Sequence, residues 1–109
     1  MHELGLTREI VSVVAERAGA RRVTRVVLEI GKLSAVMPDA VRFCFELCAR
    51  GTRLEGASLE IVEPAGRARC RACGRTVELE RPYGECACGS CDLEWISGGE
   101  LRVVAMELA

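Results

Sequence analysis

Two stretches of the chain carry apolar residues at the three- and four-residue spacing of an amphipathic helix. The first stretch runs from Glu3 to Ala18, and the second follows the start signal Pro38-Asp39 and closes at Gly51. The apolar positions are Leu6, Ile10, Val13, Val14 and Ala18 in the first, and Val41, Cys44, Phe45 and Cys48 in the second. The spacing predicts two helices, each with one face in a core.

Three further stretches alternate apolar and polar residues with the period of two that is typical of a strand. Two of them, RRVTRVVLEI and ASLEIVEP, end at Gly31 and Pro64, and the third follows a turn at Gly98-Gly99. Their inward positions are expected at Val26, Leu28, Ile30, Leu59, Ile61, Leu101, Val103 and Ala105. We expect the third stretch to rejoin the sheet of the first two. The pattern predicts an α+β fold, in which a small three-stranded sheet packs with two helices.

From about Ala65 to Cys91 the chain loses its hydrophobic periodicity and gains glycine, arginine and cysteine. Too few apolar residues remain there to hold the segment together by burial alone. We therefore expect residues 65–92 to form a zinc-ribbon subdomain that is inserted into an α/β domain made of residues 1–64 and 93–109.

Composition and charge argue against some classes of partner. The 109 residues carry 15 basic and 16 acidic side chains, and a net charge of −1 supplies no general field for nucleic acid or an anionic membrane. The first residues lack the basic and apolar regions of a signal peptide, and no run approaches the roughly 20 apolar residues that cross a bilayer. We expect a cytoplasmic protein without nucleic-acid or membrane partners.

Seven cysteines are many for this length, and five of them crowd between Cys70 and Cys91. An odd number without a secretion signal argues against a disulfide framework. The motif CRACG offers Cys70 and Cys73, and CACGSC offers three more thiols, whereas tetrahedral Zn(II) takes four ligands. The C-x2-C spacing favours Cys88 with Cys91, while a glycine directly after the second cysteine favours Cys86 with Cys88. Spacing leaves this choice open.

The other two cysteines, Cys44 and Cys48, are spaced i, i+4 on the second predicted helix. Such a pair can hold a metal, but these thiols share the apolar face with Phe45, and free cysteine is among the most buried residue types. We interpret them as core residues. Every other convincing thiol is then assigned to zinc, and no glycine-rich phosphate loop is present, so we do not expect an enzyme.

His2 is the only histidine of the chain and directly follows Met1. At this position the terminal amine, the deprotonated residue-2 amide nitrogen and the imidazole can close two adjacent chelate rings, with three nitrogens in one plane. Planar nitrogen-rich sites suit Ni(II) and Cu(II), and Glu3 can add a carboxylate or a backbone nitrogen. The alternative is a frayed terminal side chain. The chemistry of these residues leaves both interpretations open.

Six segments of the sequence form a specific combination, although each is weak alone. They are the start MHEL, the strand end EIGKLS, FCFEL followed by GT and EG, CRACG, CACGS and ELRV. Together they resemble the HypA/HybF family of hydrogenase nickel-insertion accessory proteins along the whole chain. The resemblance implies a metallochaperone that takes up Ni(II) and, with the GTPase HypB, delivers it to the large-subunit precursor of NiFe hydrogenase. Urease maturation is implied as a second destination in some organisms.

The resemblance also implies site residues. The family's nickel site uses the Met-His-Glu start, here Met1, His2 and Glu3, and its zinc site uses two cysteine pairs. The usual second pair, C-P-x-C-G-S, would place Glu85 at the first cysteine, whereas a shorter C-x-C-G-S variant fits the sequence directly. We therefore predict a structural Zn(II) site with these ligands: Cys70, Cys73, Cys86 and Cys88, with Cys91 as the substitute.

The first predicted helix begins almost at the predicted nickel site, so we hypothesise that the exposed terminal region is also the docking surface for HypB. The main alternative function is a zinc-ribbon module that binds nucleic acid or protein, because arginines surround the cysteines, with few aromatic residues near them. These residues are Arg67, Arg69, Arg71, Arg75, Arg81, Tyr83 and Trp95. Formation of a homodimer is left open.

Overall fold

A computed structural model describes residues 2–109 of the chain. It contains two helices and six strands in the order α1 (His2–Ala18), β1 (Val23–Ile30), α2 (Pro38–Ala49), β2 (Ser58–Val62), β3 (Gly66–Cys70), β4 (Thr76–Leu79), β5 (Leu93–Ser97) and β6 (Leu101–Leu108). The strands form two three-stranded sheets, ordered β2-β1-β6 and β4-β3-β5. The predicted α+β class, with two helices and a small three-stranded sheet, is confirmed.

The described residues form two compact units. The first comprises the chain up to Leu28 together with Val36–Ile61 and Val103–Ala109, and the second comprises Glu29–Ala35 and Val62–Arg102. The unit that contains the cysteine segment therefore extends past residues 65–92 on both sides. No helix within residues 2–109 is both long and apolar enough to cross a membrane.

In the first unit, α1 turns a stripe of residues spaced by four and three positions into the core. These residues are Thr7, Val11, Val14 and Ala18. The prediction of Val13 as a core residue is wrong, because this side chain is 46 % exposed whereas Val11 is only 4 % exposed. Successive helical residues point about 100° apart, so a face centred on Val14 turns Val13 towards solvent.

The other elements of the first unit follow the predicted pattern more closely. Helix α2 buries Val41, Cys44 and Phe45, and the Cys48 side chain is partly buried against the same core. Strand β1 alternates as expected, with Val26 and Leu28 fully buried. Strand β6 pairs beside β1 and packs its inward side chains on the core, so the expectation that the C-terminal stretch rejoins this sheet is confirmed. Those side chains are Val103, Met106 and Leu108. The prediction of Ala105 as an inward residue is wrong, because Val104 and Ala105 are both exposed and the alternation of β6 is interrupted there.

The second unit is built on β3, which pairs antiparallel with both β4 and β5. Its small core contains Leu33, Ala68 and Leu79. Gly66 is necessary here because the Leu33 side chain occupies the space that a Cβ atom at position 66 would need. Strand β5 belongs to this second sheet, so only β6 of the C-terminal stretch joins the sheet of β1 and β2.

Candidate metal centre

The first pair of cysteines stands at the end of β3. The turn closes when the Gly74 amide donates a hydrogen bond to the Cys70 carbonyl oxygen at 2.8 Å, and the Cys70 amide donates to the Arg75 carbonyl oxygen at 2.8 Å. Gly74 has a φ of +80°, in the left-handed region that L side chains rarely adopt. The glycine after CRAC therefore allows the turn that brings Cys70 and Cys73 to one side.

The second pair of cysteines repeats this construction in the loop before β5. The Gly89 amide donates to the Cys86 carbonyl oxygen at 2.8 Å, and the Cys86 amide donates to the Ser90 carbonyl oxygen at 2.9 Å. Gly89 has a φ of +94°. Both turns therefore have a left-handed glycine directly after their second cysteine, the feature that pointed to Cys86 with Cys88 in the sequence.

Four thiols meet where the two turns face each other. The Sγ atoms of Cys70, Cys73, Cys86 and Cys88 all lie within 4.8 Å of one another. The Cys70 and Cys88 sulfurs are 3.6 Å apart, and the Cys73 and Cys86 sulfurs are 3.5 Å apart. Zinc–sulfur bonds of about 2.3 Å in a tetrahedron place the sulfurs about 3.8 Å from each other. The arrangement therefore fits one tetrahedral metal ion such as Zn(II).

Cys91 does not belong to this group of four. It is exposed and lies instead in a groove of about 410 Å³ that Tyr83 and Trp95 also line. All seven cysteines are free thiols, without a disulfide. Of the two cysteine combinations that spacing allowed, the structure brings together the one with Cys86.

The pKa values of two clustered thiols are shifted in opposite directions. Backbone hydrogen bonds, chiefly from Cys73, lower the pKa of Cys70 from 9.0 to about 6, although burial opposes the shift. The Ser90 backbone also lowers the pKa of Cys88, but hydrogen bonds with Cys70 and Cys86 and burial outweigh it and raise that pKa to about 11. Neighbouring thiolates repel one another, so full ionisation of the group needs a cation.

Some arginines near the cysteine turns lie beside carboxylates. The Arg71 guanidinium donates a 2.8 Å hydrogen bond to the Asp92 carboxylate and lies 3.8 Å from that of Glu94, which links the first turn to β5. Arg67 stands opposite Glu78 in the β3–β4 register. The Arg81 guanidinium lies 6.0 Å from the centre of the Tyr83 ring. The arginines therefore share this surface with carboxylates, and no uniformly basic face appears among these residues.

Two of the predicted nickel residues, His2 and Glu3, are at the start of α1. Met1 lies outside the described residues. His2 is exposed, and Glu3 is partly buried. The Glu3 carboxylate accepts a 3.4 Å hydrogen bond from the Met37 amide, which is the N-cap position of α2, and the Glu3 carbonyl accepts one of 2.6 Å from the Thr7 hydroxyl. The sequence analysis predicted neither contact. The one available signal for the Glu3–Met37 contact was that methionine at the N-cap position cannot cap the helix with its own side chain.

These features define a small α+β protein with a four-cysteine cluster that fits one metal ion. The model of the family described as "Hydrogenase/urease nickel incorporation, metallochaperone, hypA" matches residues 1–108. The chain belongs to this HypA family of nickel metallochaperones for hydrogenase maturation.

Relatives with curated names support the same assignment. A hydrogenase maturation factor HypA from Nostoc sp. is 56 % identical, covering 99 % of this chain and 96 % of the relative. Another, from Geotalea uraniireducens, is 47 % identical and covers 99 % of each chain.

Two solved structures share the fold. The solution structure of the Ni metallochaperone HypA from Helicobacter pylori has a TM-score of 0.68 and 24 % identity, covering 97 % of this chain and 96 % of that one. A second solution structure of a HypA protein has a TM-score of 0.70 and 26 % identity, covering 100 % of this chain and 97 % of that one.

Proposed function

We propose that this chain binds one Ni(II) ion through Met1, His2 and Glu3 and delivers it for the maturation of NiFe hydrogenase, with urease as a second destination. The observation that supports this site most is the position of His2, whose side chain is exposed at the first residue of α1. The imidazole is therefore available to a metal ion without disturbing the core.

The start of a helix also suits the backbone donors that this site requires. The first amides of a helix have no intrahelical acceptor, so deprotonating the His2 or Glu3 amide nitrogen breaks no helical hydrogen bond. The positive end of the helix dipole favours loss of those protons. Because the Glu3 carboxylate already contacts the Met37 amide, we propose that Glu3 contributes its backbone nitrogen to the metal.

A calorimetric Ni(II) titration of the zinc-loaded protein tests this site. We expect His2→Ala, and a variant with one extra residue before Met1, to lose the one-to-one binding event. Glu16→Ala, a change at an exposed residue of the same helix, serves as the matched control and should bind as the original protein does. Unchanged binding in the first two variants would refute a terminal chelate.

We propose that the four clustered cysteines hold a resident structural Zn(II). The second unit has a core of only a few buried side chains, and segments of this kind depend on a metal for their folding. Four thiolates fill the tetrahedron and leave no open position, so the ion would serve structure and not catalysis. We propose that nickel belongs to the first unit and zinc to the second. Free thiols throughout the chain suit the reducing cytoplasm.

We further propose that a HypB-type GTPase docks at the start of α1 and that the hydrogenase large-subunit precursor receives the ion. The exposed residues around this site include His2, Arg8 and Met37. Binding of the GTPase should weaken with Arg8→Glu and persist with Tyr83→Ala, a change of an exposed residue in the zinc unit. The reverse result would place the docking surface on the zinc unit.

A further inference from the structure

Cys91 is the one cysteine that neither the proposed zinc site nor the core uses. Its side chain is exposed and lies outside the four clustered sulfurs. Of the two cysteines in the first unit, Cys44 is buried and Cys48 is partly buried against the core. When zinc occupies the cluster, Cys91 is therefore the thiol that a solute in water reaches most readily. Oxidation of cysteine depends on such exposure.

The groove that contains Cys91 gives a small molecule access to it. Its volume is about 410 Å³, and Tyr83 and Trp95, which are 70 % and 47 % exposed, are among the residues that line it. Of the described residues in this lining, only Glu85 is charged. The groove is open and largely uncharged, so a small neutral oxidant such as hydrogen peroxide can reach Cys91.

The backbone on both sides of Cys91 is joined to the two cysteine turns. On one side, the Ser90 carbonyl oxygen accepts a hydrogen bond from the Cys86 amide at 2.9 Å. On the other side, the Asp92 carbonyl oxygen accepts one from the Arg71 amide at 2.9 Å, and the carboxylate of the same residue accepts one from the Arg71 guanidinium at 2.8 Å. These contacts hold the Cys91 backbone beside the cluster, although its sulfur is not part of the group of four.

Cys88 is the clustered cysteine that is best placed to react with Cys91. Cys70 and Cys86 are buried, whereas Cys73 and Cys88 are exposed. Cys73 belongs to the other turn, but Cys88 precedes Cys91 by three positions in the segment CGSC. This C-x2-C spacing is typical of cysteine pairs that form and break disulfides. Only a glycine and a serine separate the two residues, so no bulky side chain hinders their approach.

We propose that Cys91 is an oxidation site and that it forms a disulfide with Cys88 when the protein meets a peroxide. The inference rests on the proposed zinc site, because the reaction consumes one of its ligands. Hydrogen peroxide first converts the Cys91 thiol to a sulfenic acid and is itself reduced to water. The Cys88 thiolate then attacks the Cys91 sulfur, forms the S–S bond and displaces hydroxide, which takes a proton from solvent. The two sulfurs lose two electrons in total, and one peroxide gives two water molecules.

The disulfide removes the Cys88 thiolate from the group of four. Three thiolates no longer fill a zinc tetrahedron, and a sulfur atom in a disulfide has no negative charge to offer the cation. The second unit has a core of only a few buried side chains, so loss of zinc should also disrupt its fold. Oxidation therefore acts on the second unit and does not involve His2 in the first.

Zinc release in hydrogen peroxide tests the proposal. The zinc content of the full chain is measured first, and the protein is then mixed with peroxide and a coloured zinc chelator. The original protein should release its zinc. Cys91→Ser keeps all four ligands and should release zinc about tenfold more slowly, because the exposed thiol that reacts first is missing. Cys48→Ser, which removes a thiol of the first unit, is the matched control and should release zinc as fast as the original protein does.

The zinc content before oxidation separates this proposal from the one on which it rests. An original protein that holds no zinc would overturn both. Zinc that is bound at the start and then released equally fast from the original protein and from Cys91→Ser would overturn only the oxidation site.

Mass spectrometry of the oxidised protein identifies the bond that forms. After alkylation of the remaining thiols, the label should be on Cys86, and Cys88 and Cys91 should be joined by a disulfide. A disulfide through Cys73, or Cys91 as a sulfinic acid in a protein that retains its zinc, would overturn the proposal. Reduction with a dithiol in the presence of Zn(II) should restore the zinc content, because a disulfide is reversible. Failure to restore it would indicate irreversible oxidation and would also refute the disulfide.

Discussion

The sulfur atoms of Cys73 and Cys86 lie 3.5 Å apart although 13 positions separate the residues in the sequence. This contact, together with that between Cys70 and Cys88, crosses from one glycine-ended turn to the other. The metal centre therefore depends on the first turn and the second equally, and each sulfur can be tested by replacement.

Replacing Cys86 should remove the zinc site, whereas replacing Cys91 should not. We expect Cys91→Ser to retain one zinc ion per chain, because Cys91 lies outside the group of four sulfurs. Cys86→Ser loses one corner of the tetrahedron and should retain much less metal, with loss of structure in the second unit. Elemental analysis after dialysis against a mild chelator measures both. Metal loss from Cys91→Ser alone would contradict the assignment.

Zinc affinity should fall with acidity, and more steeply below about pH 6. Cys88, whose pKa is raised to about 11, must lose a proton to zinc throughout the neutral range. Cys70, with a pKa lowered to about 6, is already a thiolate above that pH and begins to compete for a proton below it. Each proton that zinc must displace lowers the affinity about tenfold for every pH unit of acidification. The slope of log affinity against pH should therefore increase by one below about pH 6.

Competition with a coloured chelator from about pH 8 to about pH 5 measures this slope. The stability of the metal-free protein should also fall with acidity where Cys70 titrates. The contribution of Cys70 to stability is complete above its ordinary pKa of 9.0 and is lost as the pH falls through about 6. Cys88 acts oppositely, since its raised pKa favours the fold below 9.0 and that contribution is lost as the pH rises through about 11. A slope that stays constant through pH 6 would contradict the assignment for Cys70.

Gly31→Ala should destabilise the protein by about 2 to 3 kcal/mol. A Cβ atom at this position would overlap the backbone carbonyl group of Gly98, and the Leu33 amide donates to that same oxygen at 2.9 Å. Backbone atoms cannot rotate aside as a side chain can. Chemical denaturation of the zinc-loaded protein gives the change in unfolding free energy.

Gly5→Ala is the matched control for this change. No atom lies within 4 Å of the added Cβ, and Gly5 is a helical residue, so we expect this variant to gain about 0.5 kcal/mol of stability. Equal effects of the two replacements would show that Gly31 matters for flexibility and not for its close contact.

Glu3→Ala should lower the unfolding free energy by about 0.5 to 1 kcal/mol, because the α2 start would lose the acceptor for its Met37 amide. Glu16→Ala, on the exposed side of α1, should change it by less than about 0.5 kcal/mol. If the Glu3 side chain only links the helices, nickel affinity stays nearly constant in Glu3→Ala. A large loss of affinity with unchanged stability would instead make the carboxylate a metal ligand.

Local patterns predicted much of the fold. Strand β1 alternates from Val26 to Ile30, and α2 carries a strong apolar stripe, so most of their buried residues could be read directly from the sequence. The glycines after Cys73 and Cys88 also mark turns, because these turns require a left-handed backbone conformation that glycine adopts readily. Glycine placement favoured the group of four sulfurs that the structure brings together, but spacing also allowed Cys91, and the family resemblance made the choice. The metal itself remains a prediction.

Long-range packing could not be predicted in the same way. Leu33 follows β1 in sequence, yet it packs with Ala68 and Leu79 in the second unit. Its fit depends on the missing side chain at Gly66, more than thirty positions away. In α1, Val11 and Val13 are equally apolar, and only the packing of the helix decides between them. The Glu3–Met37 contact likewise joins two elements whose closeness has no local signal.

Zinc bound at the four clustered cysteines would change the net charge of the chain. The net charge of −1 counts every cysteine as neutral. When all four clustered sulfurs are ionised around one zinc ion, four negative and two positive charges bring this count to about −3. The empty form, in which Cys70 is already a thiolate at neutral pH, carries about −2. Metal loading at neutral pH therefore makes this small chain more anionic. Native electrophoresis should separate the loaded and empty forms, with the loaded form migrating faster towards the anode.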